Sequence, residues 1–150
     1  MATARPDLSA RPWRCVVERT MRASPHAIYT AWTEGFDRWF AAPGTLLMRP
    51  EIDAPFFFET RYQGGRHPHY GRFLTLEPDR LVELAWVTGS GGTEGAETVV
   101  SVEIAPHESE SHLRLAHAGF PSQESMKRHD RAWVEVLAQQ DRVLSGDGPV

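Results

Sequence analysis

Few side chains in this sequence are placed to do chemistry, and His117 is the sharpest of them. It ends the alternating run Leu113, Leu115, His117, whose apolar members mark one face of a strand. An imidazole on an apolar wall can orient a ligand or take a proton near neutral pH. The commoner arrangement is a buried histidine satisfied by a neighbouring side chain or by the helix that follows. Catalysis needs a second group, and no carboxylate accompanies His117 on the inward faces; Tyr70 and Arg72 would add polarity only if their strand turns them inside. His67-Pro68-His69 brings two imidazoles together in what reads as a loop. Without a third ligand nearby, the expectation is no bound metal. Gly89-Ser90-Gly91-Gly92 lacks the lysine of a phosphate-binding loop and opens no helix, so it reads as a hairpin connection. His129 and Asp130 stand before Trp133, where they could gate a cavity or simply cover the sheet edge. Neither a serine nucleophile elbow nor a metalloprotease helix occurs.

The elements that must position these groups follow from periodicity. Residues 1–12 are polar, contain Pro6 and Pro12, and read as a flexible arm; 145–150 read as a flexible tail. Cys15, Val16 and Val17 suggest a first strand within 13–21. Ser24-Pro25 caps a helix carrying Ile28, Ala31 and Trp32, and Phe36, Trp39 and Phe40 repeat the spacing beyond a break at Gly35. Apolar clusters at 46–48, 56–62, 70–76, 81–87, 99–104 and 113–117 then read as six strands separated by turn residues. From Ser122 the period changes: Met126, His129, Trp133, Leu137, Gln140 and Leu144 step by three and four along one long helix.

Alternation assigns the inward faces. Leu113, Leu115 and His117 share one; Val100, Val102 and Ile104 another; Val82, Leu84 and Trp86 a third; Phe56, Phe58, Thr60 and Tyr62 a fourth. The strand at 70–76 fits neither register, and a bulge near Gly71 would explain it. Trp39, Phe58, Trp86 and Trp133 can line an aromatic pocket or pack as ordinary core.

Composition bounds the class. At 150 residues the chain suits one domain, 13–144, large enough for a core without staples. The single cysteine, Cys15, excludes an internal disulfide and a cysteine-built metal cage. Sixteen Lys and Arg against 20 Asp and Glu give a net charge of −4 with no basic stripe, so nucleic acid is not an expected partner. No apolar run reaches the ~18 residues of a membrane span, and no secretory signal is apparent, so the expected localisation is cytoplasmic.

Three groups of segments stand in a characteristic order: Arg19-Thr20-Met21-Arg22-Ala23-Ser24-Pro25, Ile28-Tyr29, Ala31-Trp32-Thr33 and Trp39-Phe40; Gly71-Arg72-Phe73 before Glu77-Pro78-Asp79-Arg80-Leu81; and His117, Gly119-Phe120, His129, Trp133 and Leu137. Together they resemble the START-like (SRPBCC) superfamily, and within it the heat-shock chaperone ATPase activator homologue family. The resemblance spans about 14–144. Ala132 stands where that family usually has glycine, a mild departure. The resemblance implies an α+β helix-grip fold: a curved antiparallel sheet wrapped around a long C-terminal helix, with two short helices after the first strand and a cavity under the long one.

The expected function is binding of a small lipophilic molecule in that cavity. The expected lining is Trp39, Phe56, Phe58, Tyr62, Phe73, Trp86, Val100, Val102, Leu115, His117, Trp133 and Leu137, with no cofactor. An enzyme of cyclase or hydrolase type in the same cavity and a module assisting a heat-shock chaperone are the alternatives. The protein is expected to be a monomer or homodimer, with Trp13 near an edge strand that could pair.

Overall fold

A computed structural model describes residues 4–146. Chain order is β1 (Trp13–Met21), α1 (Pro25–Thr33), a 3₁₀ turn (Phe36–Arg38), β2 (Pro55–Tyr62), β3 (Gly65–Glu77), β4 (Leu81–Thr88), β5 (Thr98–His107), β6 (Glu110–Phe120) and α2 (Gln123–Leu144). The six strands make one antiparallel sheet in the order β1-β6-β5-β4-β3-β2. Consecutive strands from β2 onward are hairpin neighbours, and β1 alone crosses back to lie beside β6. The sheet, the short helix after β1 and the long closing helix are the helix-grip arrangement.

Local chemistry explains the helix ends. The Ser24 hydroxyl accepts from the N–H of Ala27, and Pro25 occupies the first turn, where its missing N–H costs nothing. Ser122 caps α2 in the same way, accepting from Ser125 N–H. At the other end of α2, Asp141 is buried; one oxygen accepts from the backbone N–H of Arg22, and the other pairs with the Arg19 and Arg22 guanidiniums at 3.3 and 3.5 Å. That carboxylate ties the helix to the end of β1.

Two strand expectations are corrected. The segment 46–48 is not a strand of its own; it meets the sheet through the single bridge Leu47–Phe57, between Gly44 at positive φ and Pro50. Five strands, not six, therefore follow the short helices. The irregularity in β3 lies between Phe73 and Thr75 rather than near Gly71. His69, Gly71 and Phe73 face inward; the extra residue Leu74 then turns to the outer face and restores Leu76 to the core. Gly71 has a different purpose. Any Cβ there would overlap the carbonyl oxygen of Ala85 on β4 and press on the Phe56 ring, so the two strands can pair closely only with glycine.

The inward face carries the main core. Trp32, Phe36, Trp39, Phe58 and Trp86 pack ring against ring beneath Trp133 and Leu137 of α2. Burying a side chain of this size contributes roughly 1.5–3 kcal/mol. The outer face has a smaller cluster of Leu74, Ala85 and Val99, and Leu8 packs against it. Residues 4–12 cross this face as a strap. Arg5 reaches Thr75 and Glu83, Arg72 donates to the carbonyl of Ala4, and Arg11 donates to the carbonyls of Gly119 and Glu97 at 2.7 and 2.6 Å. Residues 1–3 of the expected arm and 147–150 of the expected tail lie outside the described residues.

Candidate functional site

Between the far end of the β2–β3 hairpin, the β4–β5 loop and one face of α2 lies a cleft of about 800 Å³. Its apolar surface comes from Phe40, Trp86, Trp133 and Val136, with Tyr62 at the rim. Each wall is fixed by short-range chemistry. The hairpin turns through Gln63 and Gly64, both at positive φ, in the two-residue connection that matches strand twist. The opposite wall is the loop 89–92. Thr88 and Thr93 cross-link its base, each N–H donating to the other's hydroxyl at 2.9 and 2.8 Å. The first turns of α2 hold its outer rim: Ser125 Oγ donates to Gly92 O at 2.7 Å and Arg128 Nε to Gly91 O at 2.9 Å.

Two histidines face this space, one from each side. His69 comes from β3 and lies flat on Phe58, with ring centroids 4.8 Å apart, and edge-on to Trp86 at 5.3 Å. Its Nδ1 is 2.9 Å from the carbonyl of His67, so that nitrogen carries the proton and donates. His129 comes from α2, and its Nδ1 donates to the carbonyl of Ser125 at 2.8 Å. Burial pushes His69 down from its ordinary 6.5 to about 4, against the raising effect of the His67 carbonyl. Burial also lowers His129, with Arg128 adding to the effect. Both rings are therefore neutral at pH 7, with Nδ1–H engaged and Nε2 left as a lone-pair acceptor. Among the described residues neither Nε2 has a hydrogen-bond partner.

Of the expected lining residues, Tyr62, Trp86 and Trp133 border the cleft. Tyr62 is 65% exposed and stands at the rim rather than in the interior. Trp39, Phe56, Phe58, Phe73, Val100, Val102, Leu115, His117 and Leu137 lie in the packed core beneath. The space that alternation alone would leave under the helix is filled by Trp32, Phe36 and Trp39, driven into it by α1 and the 3₁₀ turn.

His117 has no contact with solvent and both of its nitrogens are occupied. Trp133 Nε1–H donates to Nδ1 at 3.0 Å, which places the proton on Nε2; Nε2–H donates to Thr98 Oγ1 at 2.7 Å, and that hydroxyl donates to the carbonyl of Trp86 at 2.6 Å. Burial holds the ring well below its ordinary value, with His129 as the lesser cause. His117 is a structural pin between helix and sheet. Tyr70 and Arg72 face outward, Arg72 pairing with Asp53 at 2.9 Å. Cys15 is buried and burial pushes its thiol up to about 12, so it is no nucleophile.

His67 and His69 sit on β3, not in a loop. The ladder with β4 begins at His69, so Pro68 lies where β3 is paired on one side only, a position that tolerates a missing N–H. Among the described residues no three His, Cys, Asp or Glu side chains come together as a metal site. No helix among them is long and apolar enough to cross a membrane. Sequence reasoning missed the part of Phe40, His69 and the loop 89–92 in the cleft. The parity of His69 with Phe73 on β3 was the available signal for one of them.

The helix-grip sheet and its cleft define a class of protein, and the comparisons narrow it. The family model described as activator of Hsp90 ATPase homolog 1-like protein matches residues 22–145. The chain belongs to that family. Among solved structures, protein CV1439 of Chromobacterium violaceum is 18% identical, with a TM-score of 0.75 over 89% of this chain and 98% of that one. The Aha1 dimer of Colwellia psychrerythraea is 17% identical, with a TM-score of 0.69 over 91% and 98%. PFC0360w, an HSP90 activator of Plasmodium falciparum, is 15% identical, with a TM-score of 0.70 over 89% and 96%. At these identities the likeness is one of fold. No curated protein matches the chain.

Proposed function

We propose that this protein binds a small lipophilic molecule in the cleft between α2 and the sheet. The observation that carries the reading is a space of about 800 Å³ with Trp86 and Trp133 on its floor and Phe40 and Val136 beside them. Ligand sites fall in the range of roughly 300–1,000 Å³ and combine apolar walls with a few placed polar groups. The cleft has both, and its walls are fixed by hydrogen bonds before any ligand arrives, which lowers the ordering cost of binding. The chaperone alternative rests on the family description and on the Plasmodium relative; this chain's cleft adds nothing specific to it.

The test is a titration with 1-anilinonaphthalene-8-sulfonate and neutral naphthalenes, followed by tryptophan and probe fluorescence. Saturable one-to-one binding is expected, with quenching of Trp86 and Trp133. Ala132 lines the cleft from α2 with its side chain open to solvent. Ala132→Trp should therefore fill the space and abolish binding without unfolding the protein. Undiminished binding in that variant would place the site elsewhere, and no binding across a broad apolar panel would overturn the reading.

A further inference from the structure

His69 and His129 give the cleft a polarity that its apolar walls do not disclose. Each ring spends its only N–H on a backbone carbonyl, His67 O at 2.9 Å and Ser125 O at 2.8 Å. The opposite edge of each ring carries a lone pair with no partner among the described residues. Both rings line the cleft. His69 lies 5.3 Å from Trp86, and Trp86 lies 5.8 Å from Trp133, which stands one turn beyond His129 on α2. The arginine bordering the cleft, Arg66, is already clasped by both oxygens of Glu59 at 2.7 and 2.9 Å. The site thus offers an aromatic floor and two neutral acceptors, and its guanidinium is engaged elsewhere.

From this we infer that the cleft selects an uncharged, flat aromatic compound bearing hydroxyl donors toward opposite edges, one donated to Nε2 of His69 and one to Nε2 of His129. This rests on the lipophile-binding reading and specifies its ligand class. The physical reason is asymmetric. A ligand without donors would cover both lone pairs and leave them unpaired, whereas a hydroxyl replaces the water it displaces. The proton stays on the ligand, because an imidazole that titrates near 4, as His69 does, is an acceptor and a weak base.

The experiment compares 2,6-dihydroxynaphthalene with its dimethoxy ether, which keeps the ring system and loses both donors. The diol should bind at least about tenfold more tightly, the scale of two hydrogen bonds at typical net strength. His69→Phe and His129→Phe keep a flat ring and remove the acceptor. Each should weaken the diol several-fold and tighten the ether, which no longer covers an unpaired acceptor, with far-ultraviolet circular dichroism confirming the fold. A nitrogen-15 histidine spectrum at pH 7 should show both rings as the Nδ1–H tautomer. Equal affinity of diol and ether, with both bound, would overturn the donor selectivity and leave lipophile binding standing. Failure of both to bind would overturn both readings.

Discussion

The indole of Trp133 and the imidazole of His117 meet across a 3.0 Å hydrogen bond, with the imidazole accepting. That one bond fixes the tautomer of His117, commits its second nitrogen to Thr98, and sets the depth at which α2 rests on the sheet. His117→Ala should remove the bond, orphan the indole N–H, leave the Thr98 hydroxyl only its bond to the Trp86 carbonyl, and leave a cavity. A loss of about 3–4 kcal/mol is expected, read by urea unfolding. Because the ring does not border the cleft, the residual folded protein should still bind apolar probes saturably, with any change in affinity passing through Trp133.

Stability should fall in mild acid. His69, His117 and His129 all have their folded values lowered, chiefly by burial. Below their ordinary 6.5 the unfolded chain takes up protons that the fold refuses, so the unfolded state binds more of them and gains as pH drops. Stability is full above about pH 6.5 and is lost progressively towards pH 4. For His69 alone the loss between pH 7 and pH 5 is about 2 kcal/mol. His69→Phe should therefore lose less stability over that interval than the wild type; equal losses would show that the ring is not buried as described.

Gly71→Ala should be among the most damaging single changes in the sheet. Its Cβ would overlap the Ala85 carbonyl, a backbone atom that cannot swing aside. The β3–β4 ladder would have to separate locally, for a cost of several kcal/mol at the upper end of what single substitutions do. Thermal unfolding followed by circular dichroism should show a large fall in Tm or no cooperative transition. By contrast Gly89→Ala, where a Cβ meets nothing within 4 Å, should be nearly neutral.

Asp141→Ala should loosen the end of α2. The carboxylate is 2% exposed and satisfies the Arg22 N–H while pairing with two guanidiniums. Removing it should cost about 2–4 kcal/mol, because a buried donor and partly covered cations lose their partner. Amide hydrogen exchange should report the loss first at Arg22 and in the last turns of α2. A change confined to the far end of the helix would show that Asp141 does not make this tie.

Much of the architecture could be read directly from residue order. Alternation placed Val100, Val102, Leu113, Leu115 and His117 on the inward face, and the structure keeps them there. Ser24-Pro25 and Ser122 marked real helix starts. What alternation cannot carry is volume. It says which side chains face a helix, but not how far Trp32, Phe36 and Trp39 reach into the gap, because their positions depend on how α1 and the 3₁₀ turn are seated. The expected cavity is therefore solid around Phe58 and Leu115, and the space opens further along, beside the loop 89–92. The bulge at Leu74 escaped for a similar reason: one extra residue shifts parity without leaving a mark that Gly71 does not mimic.

The strap over the outer face fixes an order of events. Arg11 must find carbonyls 86 and 108 positions further along the chain, at Glu97 and Gly119. Contacts of such separation close slowly, since the loop entropy is lost before the bond forms. During synthesis the strap emerges ahead of the strands it crosses; its Arg5 end needs only β3 and β4, but its Arg11 end must wait for β6. Until Leu8 between them is held in place, Leu74, Ala85 and Val99 lack its cover on the sheet. The earliest-made part of the domain is thus among the last to settle, and the nascent chain carries an apolar patch that the finished one hides.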